Sequence, residues 1–295
     1  MSRQISPRTG LAYGLKRVCD TLGVSRSSMY VKEQSLYSEA LKRRGPKGSI
    51  CDKELLQEIR KDITASPFKG EGHRKIHARI RRQGVPVGKN RILRLMRHNQ
   101  LLSPHRSHSH SNAEHDGKII TLLPNEMWCS DGMKVRTVKD GWVWVFAVEE
   151  HWNAECLGWH VCKHGDRFAA FEAVSQAIKN VYGGMSKGIA QGLKLRIDNG
   201  CQYTSDYFLK QLKYLGVEES FGLIRQPQTN GVAERFNRTV KEQIINGRIY
   251  SGIEDLRDAL RVFIEQYNEN WLVGKLGYKS PREARREYER QRIAA

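Results

Sequence analysis

An apolar run from Leu193 to Ile197 ends at Asp198-Asn199-Gly200, and CQYTSDYFLKQLKYLG follows at once, with Phe208, Leu209, Leu212 and Leu215 at helical spacing. Asn-Gly alone reads as a hairpin, because it is the strongest short hairpin signal. A helix after the turn argues for a different fold. A strand that feeds a helix through Asp-Asn-Gly puts Asp198 at the carboxyl edge of its strand, where open α/β sheets place ligand sites. Thr204 or Ser205 is positioned to cap that helix.

The flanking segments extend the same α/β pattern. EMWCSDGMKV, WVWVFAVEE and AECLGWHVC are rich in aromatic and β-branched residues, and predict three strands in an antiparallel meander, with Asp131 towards the interior end of the first. Residues 166–182 have helical periodicity, with Asp166 as the expected cap. VEESFGLI reads as a short strand. RQPQTNGVAERFNRTVKEQII begins as a loop and continues as a helix, with Glu234 near its start and Arg238 and Lys241 on the same face. Trp142, Trp144 and Trp159 are expected to be packing residues. Asp131, Asp198 and Glu234 stand where this fold could bring chain segments together. Clustered acids raise one another's pKa unless cations neutralise them. Two divalent ions about 3.5–4 Å apart do so, and clamp both the attacking and the leaving oxygen of a phosphoryl transfer.

Charge divides the chain. The net charge is +18, and residues 1–118 hold 25 Lys+Arg against 10 Asp+Glu, a net of +15. Such a basic half binds a polyanion. Nucleic acid is favoured over lipid, since no exposed apolar face accompanies the charge and no run nears the ~18 apolar residues of a membrane span. The first residues lack a signal-peptide apolar core, and the six cysteines form no CxxC pair. A cytoplasmic, nucleoid-associated location is expected. Residues 13–33 read as two helices about Gly23, with Val24 in a small core, Ser25 as a cap, and Arg26 and Ser27 leading the second helix towards DNA. Residues 40–49 have linker composition. A second helical unit follows, with Leu55, Leu56 and Ile59 on one helix face, Ile76 and Ile80 on the next, and Arg79, Arg81 and Arg82 outside. Its third helix carries Lys89, Arg91, Arg94 and Arg97 beside Ile92, Leu93 and Met96. Four histidines among serines in SPHRSHSHSNAEHDGK read as an exposed linker, since no spacing matches a zinc site.

WCSDG, IDNGCQYTS, QPQTNGVAERFNRTVKE and YNEN…LGYKSPREA together resemble the DDE catalytic domain shared by retroviral integrases and bacterial insertion-sequence transposases. The similarity is greatest to second-frame transposases translated by frameshifting. Asp198 and Glu234 are separated by 35 residues, the D-D-35-E spacing of that group. GHRKIHARIRRQG resembles the basic helical segment that precedes such domains. The resemblance implies an α/β, ribonuclease-H-like mixed sheet flanked by helices and preceded by all-α helix-turn-helix-type domains. The expected boundaries are 1–50 for the first helix-turn-helix and basic linker, 51–104 for the second helical domain, 105–118 for a Ser/His-rich linker, 119–250 for the catalytic core and 251–295 for a C-terminal helical segment.

Under the resemblance, Asp131, Asp198 and Glu234 are catalytic and hold two Mg²⁺ ions, with Mn²⁺ as a substitute. Lys241, Arg238 and Asn230 contact DNA there, and Arg26, Ser27, Lys89, Arg91 and Arg94 contact it from the helical domains. Gln202 is a further DNA neighbour, Tyr203 reads equally as another or as core, and Asn199-Gly200 is the turn that lets Asp198 project. The implied activity is strand cleavage and transfer at element ends, on double-stranded DNA. A homo-oligomer is implied, as is fusion or association with the upstream-frame product. A nuclease on the same fold and a catalytically silent DNA-binding regulator are the rival readings. One departure stands out: Trp271, Leu272 and Val273 replace the group's usual Arg-Pro-His turn before Leu276-Gly277-Tyr278.

Overall fold

The computed structural model describes residues 3–37, 50–103, 119–222 and 230–294. The chain separates into two units, Met1–Ser49 and Ile50–Ala295. The expectations for residues 40–49, for the histidine-rich 104–118 segment and for 223–229 fall outside the described residues.

The first unit holds α1 (Leu15–Leu22) and α2 (Arg26–Tyr37). Gly23 breaks them as expected, in the left-handed conformation at φ 63°, its N–H returning to the carbonyl of Cys19. Val24 does not enter a core, being 42% exposed, and Leu22 is 61% exposed. Two short helices enclose little volume, and Cys19 is the one buried hydrophobic side chain among the described residues of this unit. Ser25 Oγ shares a 2.5 Å hydrogen bond with Ser27 Oγ.

The second unit begins with three helices, α3 (Asp52–Ala65), α4 (His73–Arg82) and α5 (Lys89–His98). Cys51 and Glu54 close a reciprocal cap at the start of α3. Leu55, Ile59, Ile76, Ile80, Ile92, Leu95 and Met96 form their shared core. Leu95 is buried, whereas Leu93 and Leu56 reach only the edge. Arg79 departs from the sequence reading. It turns inward, its Nη2 2.8 Å from Asp62 and its Nη1 2.7 Å from Glu71, both nearly buried carboxylates.

A five-stranded sheet follows: β1 (Met127–Thr137), β2 (Gly141–Glu150), β3 (Cys156–Cys162), β4 (Lys194–Ile197) and β5 (Glu218–Phe221), in the order β3-β2-β1-β4-β5. The first three strands are the expected antiparallel meander, and β4 and β5 join in parallel. This is the mixed, ribonuclease-H-like α/β sheet that was anticipated. One face packs against α6 (Arg167–Tyr182), capped by Asp166, and α7 (Asp206–Leu215), capped by Ser205. Close packing there needs Gly158, where a Cβ would lie 2.3 Å from the carbonyl oxygen of Ala173. The other face packs against α8 (Gly231–Val240) and α9 (Ile253–Asn270). Trp144 and Trp159 pack as expected, but Trp142 is 60% exposed because it lies at the start of β2, beyond the covering helices. α10 (Pro281–Ala294) closes the described chain.

The three-helix segment is fastened to the sheet unit by Phe68, which enters the core beneath α8 and α9. The Phe68 ring meets Trp271 edge-on at 4.9 Å, and Lys75 Nζ lies over the Trp271 ring. Lys69 N–H donates to Gln243 Oε1 while Gln243 Nε2 donates to the Lys69 carbonyl, both at 2.9 Å. The Trp271 that replaces the arginine of the resembled turn is therefore a docking residue.

Candidate active site

Sheet register places the first two carboxylates. Cys129 on β1 pairs with Arg196 on parallel β4. Two residues further along each strand, Asp131 and Asp198 come level, on the face that α8 covers. Asp198 leaves the sheet as the chain turns. Its Oδ1 accepts from the N–H of Gly200 at 3.0 Å, and Asn199 Nδ2 donates to the carbonyl of Gly222 at 3.1 Å. Gly200 is required by close approach, since a Cβ there would lie 2.9 Å from Asp198 Oδ1 and 2.5 Å from Gln202 Nε2. The turn then enters α7, so the strand-to-helix reading of Asp198-Asn199-Gly200 holds and the hairpin does not.

Glu234 lies in the first turn of α8. Burial pushes its pKa up, the charge of Asp131 raises it further, and Arg238 opposes both. Burial also raises Asp131, and Asp198 adds to the rise, while the hydrogen bonds from Gly132 and Asn237 and the charge of Lys241 lower it. Asp131 thus lies within electrostatic reach of both Asp198 and Glu234, with Lys241 near Asp131 and Arg238 near Glu234. α8 continues without a break into a π-helical turn, Lys241–Ile245, which carries Lys241 past the carboxylates.

Two side chains hold this arrangement. Asn237 Nδ2 donates to Asp131 Oδ2 at 2.9 Å, while the N–H of Gly132 donates to Oδ1 at 2.8 Å, so both oxygens of Asp131 are oriented. Asn230 Nδ2 donates 3.2 Å to the carbonyl of Ser130, beside Asp131. Its amide nitrogen is spent on β1, and its Oδ1 is buried without a hydrogen-bond partner. Tyr203 resolves to core: it is fully buried, its hydroxyl 3.1 Å from Ser130 Oγ. Asn237 escaped sequence reasoning, although its place three residues after Glu234 sets it on the same helix face.

Glu149 was also missed. It sits on β2 opposite Cys129, fully buried, with Cys129 Sγ 3.8 Å from Oε2 and with Oε1 lacking a hydrogen-bond partner. Burial drives its pKa well up, and the charge of Asp131 adds to it.

The donor set suits a hard divalent cation, being oxygen-only, acidic and mutually repulsive. Among the described residues no three His, Cys, Asp or Glu side chains converge into a ready-made cage. Mg²⁺ binds through one or two carboxylates and completes its shell from water and substrate phosphate, so facing carboxylates fit it without such a cage.

Of the remaining sequence candidates, Arg26 and Ser27 belong to the first unit. Lys89, Arg91 and Arg94 are on α5, where Arg91 and Arg94 both pair with Asp52, at 2.8 and 2.7 Å. No described helix is long and apolar enough to cross a membrane.

Comparison with known proteins adds the family context. Residues 122–227 and 215–281 each match an integrase core domain family, and residues 51–108 match an HTH-like domain. Transposase InsD for insertion element IS2A/D/F/H/I/K of Escherichia coli is 28% identical over 290 residues, which cover 95% of this chain and 92% of that protein. An uncharacterized 48.2 kDa protein of E. coli insertion element IS2A is 27% identical over 94% of this chain, which spans 66% of its length. Among solved structures, the catalytic core domain of BIV integrase aligns with TM-score 0.40 and 20% identity, covering 57% of this chain and 99% of that one. The HTLV-2 integrase catalytic core domain in complex with magnesium, in its trimeric form, aligns with TM-score 0.39 and 17% identity over 54% of this chain and 95% of that one.

Proposed function

This chain carries an integrase core and an HTH-like domain, and from that premise we propose that it is a metal-dependent DNA transposase with Asp131, Asp198 and Glu234 as its catalytic acids. The observation that carries the reading is the register that brings Asp131 and Asp198 level on adjacent strands, with Glu234 in the first turn of α8 and Asn237 of the same helix hydrogen-bonded to Asp131.

Asp131, Asp198 and Glu234 would hold the Mg²⁺ ions, with Mn²⁺ as substitute. Such ions supply activation of a water or 3′-hydroxyl and stabilisation of the departing 3′-oxygen in an in-line displacement at phosphorus. Asn237 and the Gly132 N–H orient the Asp131 carboxylate for that task. Lys241 and Arg238 attract the phosphate of the element end, as cations beside a cluster of acids must if a polyanion is to approach. Asn230 holds the start of α8 against β1, which sets the height of Glu234 over the sheet. No Ser or Tyr nucleophile is needed. Double-stranded DNA is the substrate, and a homo-oligomer on paired ends, with the upstream-frame product fused or associated, is the working assembly. The site of action is the cytoplasmic nucleoid.

Labelled DNA from the inverted repeats flanking the coding region, incubated with the full chain in Mg²⁺, tests the reading. Joined strands, lost in Asp198→Asn while DNA binding persists, are expected. Hydrolysis without joining would move the assignment to a nuclease on the same fold, and binding with neither would move it to a DNA-binding regulator.

A further inference from the structure

The cations of residues 50–103 include two contrasting sets. One set is spent on the fold. Lys75 pairs with Glu71, Arg79 with Asp62 and Glu71, Arg82 with Glu283, and Arg91 and Arg94 with Asp52. The other set gathers around His73. That imidazole is held below its usual pKa by burial and then by Arg74, Lys89, His77 and Arg97. Arg74, Lys89 and Arg97 are exposed and have no ion-pair partner among the described residues.

Helix geometry explains the grouping. On α4, His73, His77 and Arg81 recur at i, i+4 and i+8, with Arg74 beside them. On α5, Lys89, Leu93 and Arg97 do the same. Arg91 and Arg94 lie on the other flank of α5, which faces the start of α3. His77 Nε2 lies 3.1 Å from the carbonyl of Val87, which ties the two helices where α5 begins. The two stripes therefore run side by side.

Concentrated like charge costs stability, and a protein retains it where an anion neutralises it. Each stripe runs over eight residue steps, about 12 Å of helix, a length over which a DNA duplex presents roughly seven phosphate charges. A lipid surface fits less well, because the exposed large hydrophobics among the described residues of this segment are Ile63 and Leu102, on neither stripe.

We propose that Arg74, Lys89 and Arg97, grouped around His73, form the surface by which residues 50–103 dock on the phosphate backbone of duplex DNA, while Arg91 and Arg94 serve the fold. This rests on the DNA-transposase reading; it keeps Lys89 from the contacts read from sequence and puts Arg74 and Arg97 in place of Arg91 and Arg94.

The test uses the full chain and a fluorescent duplex of arbitrary sequence, about 30 base pairs long, with affinity measured across a salt series. Each phosphate contact contributes about 0.9 to the slope of log affinity against log salt. The variant Arg74→Ala/Lys89→Ala/Arg97→Ala is expected to lower that slope by about 2.7, with an unchanged melting temperature. The control Lys53→Ala/Arg60→Ala/Lys61→Ala removes the same charge from exposed positions of α3 and is expected to leave the slope near wild type. Arg74→Lys/Arg97→Lys keeps the charge and is expected to retain the slope. Equal losses in both triple variants, or no loss in the first, would overturn the placement while leaving the transposase reading intact. Failure of the wild-type chain to bind any duplex would overturn both.

Discussion

Asn237 Nδ2 donates a 2.9 Å hydrogen bond to Oδ2 of Asp131, from a helix position one turn beyond Glu234. One amide thus ties the helix that presents one acid to the carboxylate of another. A hydrogen bond to a charged group is worth about 1.5–3 kcal/mol, and without it burial would raise Asp131 further. Asn237→Ala is expected to increase the Mg²⁺ concentration needed for half-maximal strand joining several-fold, with DNA affinity retained. A Mg²⁺ titration of the joining rate measures this. An unchanged requirement would remove Asn237 from the positioning of Asp131.

Gly200 offers a second probe, because a methyl group there would press on Asp198 Oδ1 and on the Gln202 amide. Gln202 is the far end of a flexible side chain and can yield, whereas Asp198 Oδ1 is already held by the Gly200 N–H. Gly200→Ala is expected to depress joining at least tenfold, equivalent to about 1.4 kcal/mol, with little change in thermal stability. Full activity in this variant would show that the turn does not govern the carboxylate.

Phe68 and Trp271 join the helical segment to the sheet unit. Truncating a buried Phe costs about 3–5 kcal/mol, so Phe68→Ala is expected to lower the melting temperature by more than any single exposed substitution and to increase proteolysis between α3 and α4. Trp271→His keeps a ring at that position, removes the Lys75 contact and is expected to cost less. Thermal melts and limited proteolysis of the two variants check the order.

Glu149 makes stability depend on pH. Its folded pKa lies above the ordinary glutamate value of 4.5 because of burial and then Asp131. The stability it contributes is therefore fully present below the unfolded value and is lost as pH rises through the folded one. Glu149→Gln keeps the shape and removes the titration, so its melting temperature is expected to exceed that of the metal-free wild type increasingly from pH 5 to pH 8. A constant difference across that range would show that Glu149 does not titrate with folding.

Much of this was legible because local patterns and tertiary structure agree. The run Leu193–Ile197, its Asp-Asn-Gly turn and the stripe of α7 each specified their element, and the strand-to-helix order placed Asp198 at a sheet edge. Glu234 was visible through spacing and flanking residues. Asn237 was not, because an asparagine inside an amphipathic helix reads as neutral until register puts Asp131 opposite it. Arg79 read as outward-facing, and Arg91 and Arg94 as DNA contacts, because their partners, Asp62, Glu71 and Asp52, are distant in sequence. Trp142 looked like core because sequence does not tell where the covering helices end, and Val24 because it does not tell how little α1 and α2 enclose.

The central claim is that Asp131, Asp198 and Glu234 form one metal-binding site. The most direct measurement is Mn²⁺ binding to the full chain by electron paramagnetic resonance, comparing wild type with Asp131→Asn, Asp198→Asn and Glu234→Gln. Saturable Mn²⁺ binding that each substitution weakens, and that Mg²⁺ displaces, is the expected result. Binding that is equal in all four proteins would contradict the claim.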